Sequence, residues 1–172
     1  MTELESQLYR NYKESIIEWL DNNPEYIDEA INLAISDKPN FAWRAAWLLS
    51  SALNYNDKKI RNYQSEIINA LKNKKDGHKR ELIKLLMNID IDEEFEGELF
   101  DICVSLWEKT TAQPSIRIIA FRMIMKIANR HQELMNEIPF LLQEHLIDSL
   151  SPGIRHSLKR IINEKKLNTF LD

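Results

Sequence analysis

The chain has 172 residues, a formal charge of -4, three glycines, five prolines and a single cysteine, Cys103. One cysteine excludes an intramolecular disulfide and a zinc site built from several thiolates. An acidic balance argues against holding nucleic acid or an anionic membrane by bulk positive charge.

Few helix breakers and an abundance of Leu, Ile, Ala, Lys and Glu favour an all-α chain. The opening Met1-Thr2-Glu3-Leu4-Glu5 lacks the basic and apolar segments of a signal peptide, and no later apolar run approaches the ~20 residues that span a bilayer. No membrane association and a cytoplasmic, reducing location are the expectations.

Apolar spacing predicts about nine helices. The first, over 3–21, carries Leu4, Leu8, Tyr12, Ile16 and Leu20 as one stripe and should dock as a cap. Pro24 and Pro39 mark starts for helices over 24–36 and 39–54, since proline is tolerated where the first-turn N–H has no partner anyway. Asp57 and Asp76 with Gly77 mark helices over 58–73 and 77–89, and Asp92 marks one over 93–109. Pro114 opens a helix over 114–131, Asn136 one over 137–149 and Pro152 one over 152–164. Short connections make successive helices antiparallel neighbours.

These helices repeat. Arg44, Arg80, Arg117 and Arg155 each stand early in a helix, separated by 36, 37 and 38 residues. Three residues on come Trp47, Ile83, Ala120 and Leu158. Trp43, Ile116 and Ile154 precede three of the arginines, with Lys79 the exception. A unit of this length is one helix pair, which cannot bury its apolar faces alone and must stack on its neighbours.

The pattern in Trp43-Arg44-Ala45-Ala46-Trp47 and Ile116-Arg117-Ile118-Ile119-Ala120 resembles the second helix of HEAT/armadillo-like repeats, over residues 24–164. Trp47, where a small residue is usual, and Lys79 depart from that pattern. The resemblance implies a right-handed α-α superhelix forming a single domain over 1–172. It would hold a capping helix over 1–22, helix pairs over 23–55, 56–90, 91–131 and 132–165, and a polar tail over 166–172. It also implies that the second helices line a concave face.

Stepping one residue past each arginine, and then by turns, places Glu81, Leu85, Ile118, Arg122, Lys126, His156 and Arg160 on that face as candidate partner-binding residues. Such a groove, apolar at one end and basic toward Arg122, Lys126 and Arg160, suits a peptide with an apolar part and an acidic part. The expectation is a non-enzymatic module binding a protein or peptide, as a monomer or weak homodimer, with nucleic acid unfavoured. The alternative within the resemblance is a HEAT-like alkylpurine DNA glycosylase, which would need a basic groove with an exposed tryptophan beside a carboxylate.

Other conspicuous residues have plainer readings. The four arginines suit pairing with carboxylates or carbonyls between repeats, with Asp37, Asp76 and Asp148 as possible partners. Trp19, Trp43, Trp47 and Trp107 read as core. The acidic run Asp90, Asp92, Glu93, Glu94, Glu96, Glu98, Asp101 lacks calcium-loop spacing and reads as a solvated surface. His78, His131, His145 and His156 form no metal-binding pair, no phosphate loop or nucleophile elbow is present, and Cys103 reads as a buried small hydrophobe. No metal, cofactor or catalytic residue is expected.

Overall fold

The computed structural model describes residues 1–164, all-helical with no strand among them. The sequence-predicted tail over 166–172 lies outside the described residues. The residues cluster into two compact units, Met1–Phe95 and Glu96 onward.

In the first unit the predicted capping helix is two helices, α1 (Glu3–Arg10) and α2 (Lys13–Asn22). A capping box starts α1: Thr2 Oγ1 accepts from Glu5 N at 3.2 Å, and Thr2 N donates to Glu5 Oε2 at 3.0 Å. The break falls at Asn11 and Tyr12, both extended. Leu4, Leu8, Ile16 and Leu20 are buried as the stripe predicts, but Tyr12, at the joint, points into solvent.

Pro24 opens a single 3-10 turn, Pro24–Tyr26, leading into α3 (Ile27–Ile35). Pro39 lies in the turn before α4 (Ala42–Ala52) rather than inside it. The predicted 58–73 helix divides at Tyr63 into α5 (Lys58–Asn62), capped by Asp57, and α6 (Gln64–Ala70), followed by the 3-10 turn Leu71–Asn73. Then comes α7 (Asp76–Met87). The unit centres on α4, which packs against α2, α3 and α7. Its core comes from Ala45, Ala46, Leu48 and Leu49 of α4 with Ile31 of α3 and Leu82 and Leu86 of α7, all buried.

Polar side chains fix the spacing of consecutive repeats in this unit. Asn56 holds the left-handed conformation at φ 60°, which Asn tolerates better than most residues. There its amide exchanges bonds with Asp90, Nδ2 to Oδ2 at 2.9 Å and Asp90 N to Oδ1 at 3.0 Å. Gln64 likewise accepts from Asp92 N at 2.9 Å and donates to its Oδ2 at 2.6 Å.

The unit boundary falls in the first turn of α8 (Glu93–Glu108). Pro114 stands at the first position of α9 (Pro114–Ala128), as predicted. After a short helix α10 (Gln132–Met135), the single helix expected over 137–149 is instead two four-residue helices, α11 (Ile138–Leu141) and α12 (Glu144–Ile147), before α13 (Pro152–Glu164). In this unit α9 packs on α10 and α13. Ten of its 15 residues are buried, which makes it the core helix.

Candidate interaction face

A helix packed on several sides keeps one open stripe, and burial locates it on each second helix. On α4, Trp43, Trp47 and Ser50 stand at i, i+4 and i+7 and are not buried, Trp43 being 41% exposed. On α7, Arg80, Lys84 and Met87 repeat that spacing. The two stripes are joined through buried Glu81. It accepts from Ser50 Oγ at 3.3 Å, from Arg80 Nε at 3.0 Å and from Lys84 Nζ at 3.3–3.4 Å. One carboxylate between two cations leaves this face net positive beside two tryptophans.

In the second unit the open stripe of α9 is narrow: Ser115, Ile119, Arg122 and Lys126. On α13, the last described helix, Arg155, His156, Lys159 and Arg160 are exposed while Leu158, Ile161 and Ile162 are buried.

Net positive charge gathers on these helices, as it also does on α5, which carries +3. Counting Lys and Arg against Asp and Glu, α4 carries +1, α7 +1, α9 +3 and α13 +2. Together they hold +7 in a chain of -4, so every other segment combined carries -11.

Three sequence-derived site residues, Glu81, Leu85 and Ile118, are buried in the structure and offer a partner no surface. Arg122 and Lys126 are half-buried on the open stripe of α9, while His156 and Arg160 are exposed on α13. The reason is rotational, since one residue turns an α-helix by about 100°. The open stripe includes the residue before Arg44 on α4 and Arg80 itself on α7, but on α9 it flanks Arg117 at two residues on either side, Ser115 and Ile119. No constant offset from the arginine finds it. Trp43 corrects the core reading of the tryptophans. Trp19 and Trp47 are half-buried, and only Trp107 is fully enclosed.

The repeated arginines are architectural. Arg44 Nη2 donates to Asn11 O at 3.1 Å, at the C-terminus of α1. Arg117, with no exposed surface, donates to Trp107 O at 2.8 Å, Leu146 O at 2.7 Å and Ser149 Oγ at 2.7 Å, its guanidinium 4.9 Å from the Trp107 ring centre. Arg155 donates to Leu150 O at 3.0 Å and Asp148 O at 2.6 Å. These carbonyls lie at or just past helix C-termini, where acceptors lack intrahelical donors and the dipole favours a cation. Arg80 differs, pairing with Glu81. Of the suggested carboxylates only Asp148 approaches its arginine, at 4.0 Å, while Asp37 pairs instead with Lys74.

The acidic run is partly structural. Arg61 bonds Asp92 Oδ1 at 2.5 Å and holds its carboxyl below the usual range. Tyr55 Oη donates to Asp90 at 2.7 Å. Buried Glu96 takes Arg130 and His131, both at 2.5 Å. His78 Nε2 lies 2.8 Å from Ala34 O. Burial raises the pKa of the Cys103 thiol far above its ordinary value. Among the described residues no cluster of His, Cys, Asp and Glu could hold a metal, and no helix is long and apolar enough to cross a membrane.

No curated protein and no solved structure matches the chain. A family model described as a HEAT repeat domain matches residues 1–165. With the all-helical structure and the repeated helix pairs, this match means that the chain belongs to the HEAT repeat domain family.

Proposed function

We propose that this protein is a non-enzymatic interaction module that binds an acidic protein or peptide partner on the second-helix faces of its units, the concave side in a HEAT stack. HEAT repeats are generally protein-interaction scaffolds. The observation that carries the reading is the charge segregation, +7 on α4, α7, α9 and α13 within a chain of -4. Tryptophan beside cations on α4 and α7, and Ile119 beside cations on α9, add apolar contact to that attraction. The glycosylase alternative gains no support: Glu81, the carboxylate bonded to the Trp43–Ser50 stripe, is buried, with both oxygens held by Ser50, Arg80 and Lys84.

Affinity purification from the native cell tests this, with the wild-type chain beside two variants. Lys84→Gln, Lys126→Gln, Lys159→Gln and Arg160→Gln together dilute the second-helix charge. Glu14→Gln with Glu18→Gln alters exposed α2 by comparison. A partner kept by the α2 variant and lost by the second-helix variant supports the reading; retention by both contradicts it.

A further inference from the structure

The two arginines facing different ways on α9 are treated differently by the fold. Arg117 has all three guanidinium nitrogens bonded, two of them to carbonyls. Arg122, five residues on, has its Nε buried and bonded to nothing, the one such buried side-chain nitrogen or oxygen among the described residues. A buried donor without an acceptor is a standing cost, and a charged one more so. Methionine or leucine would fill similar space without it. No carboxylate lies anywhere on α9, and Arg122 sits on the open stripe between Ile119 and Lys126.

We infer that Arg122 is the seat for a carboxylate side chain of a protein partner, with Lys126 adding charge and Ile119 an apolar contact. This rests on the proposed binding face and names the chemistry recognised there. The planar guanidinium presents paired N–H donors that match a carboxylate's two oxygens, and Nε is one of the donors in the fork. A single carboxylate on an apolar segment fits better than a polyanion. Nucleic acid would bring a line of phosphates toward a chain whose remaining segments carry -11.

The test uses the full chain, isotope-labelled, with its Arg122 Nε–Hε resonance assigned by its loss in Arg122→Lys. Probes are a short capped Leu/Ala peptide bearing one glutamate, its glutamine twin, a phosphoserine twin and a thymidine oligonucleotide. The glutamate peptide should move that resonance downfield and bind roughly tenfold more tightly than the glutamine peptide. Arg122→Lys and Arg122→Met should both lose that preference. Arg122→Met should melt at or above the wild type, by up to about 2–4 °C, because it removes the orphaned donor.

An unmoved resonance, equal binding of the glutamate and glutamine peptides, or a melting temperature several degrees lower in Arg122→Met overturns the inference. Tighter binding of the phosphoserine peptide or the oligonucleotide also overturns it, in favour of phosphate or nucleic acid. Partner capture that depends on second-helix charge while Arg122 stays silent refutes the inference alone. A glutamate response at Arg122 without charge-dependent capture refutes only the broader function.

Discussion

Arg117→Met should destabilise the second unit without touching a binding surface. The guanidinium supplies donors to Trp107 O, Leu146 O and Ser149 Oγ and stacks on Trp107, whose own Nε1 donates to Leu141 O at 2.7 Å. Removing it leaves Trp107 O without that donor, while Leu146 O keeps only the Ser149 hydroxyl at 3.2 Å. A buried group losing its partner costs about 1–3 kcal/mol, hydrogen bonds to charged donors contribute about 1.5–3 kcal/mol each, and a desolvated cation–π contact about 1–2 kcal/mol. Against this, the variant recovers the several kcal/mol of desolvation that burying the cation cost. The balance is a loss of about 3 kcal/mol, or a fall in melting temperature of roughly 6–12 °C for a chain of this size. Thermal melts followed by circular dichroism read the shift. The folded variant should keep its partner, because Arg117 has no exposed surface. A variant within about 0.5 kcal/mol of wild type would show that desolvation cancels the bonds and that the clamp is not why arginine stands there.

Acid should weaken the first unit through His78. Burial holds its pKa below the ordinary value, with Lys74 acting in the same direction and the Ala34 carbonyl and Asp37 opposing. Between the two pKa values the unfolded chain binds more protons, so the neutral ring's stabilising share is complete above about pH 6.5 and declines as pH falls toward the folded value. Urea melts of His78→Gln should show a shallower loss across that window; a slope equal to wild type would assign the loss elsewhere. Asp92, held low mainly by the Arg61 side-chain bond, gives a separate loss below its ordinary 3.8, which Arg61→Gln should reduce. Cys103 should resist Ellman's reagent in the native chain and react in denaturant, and prompt native labelling would contradict its burial. Asn56→Val should destabilise by about 1–3 kcal/mol, since a β-branched residue resists positive φ and the Asp90 bonds go too. Melting temperatures within error of wild type would remove that turn from the account.

Helix starts were legible where backbone chemistry dictates them. Pro114 and Pro152 stand at first helical positions, and Asp57 caps α5, because proline and short acidic side chains solve the problem of unpaired first-turn donors. The repeated arginines were legible as architecture because their spacing matches the helix pair. What the pattern hid was tertiary. Asn11 and Tyr12 interrupt a stripe whose apolar spacing continues unbroken, with the Asn11 carbonyl taken by Arg44 from 33 residues away. The short helices α10–α12 lack a long periodic run, and three four-residue segments are shorter than two turns each. The facing of the second helices is set by tertiary packing and by what each arginine reaches, a carbonyl for Arg44, Arg117 and Arg155 but Glu81 for Arg80, so Glu81, Leu85 and Ile118 fell inside while Trp43 fell outside.

The central claim is that the second helices contact the partner. Lysine acylation footprinting of the chain alone and with its captured partner, read by mass spectrometry, tests it residue by residue. Lys84, Lys126 and Lys159 lie on α7, α9 and α13, while Lys13 lies on the capping helix α2 and Lys58 on α5. Shielding of the first three with Lys13 and Lys58 unchanged is the expected result. Shielding of Lys13 and Lys58 with the second-helix lysines unchanged would place the partner away from the second helices and contradict the account.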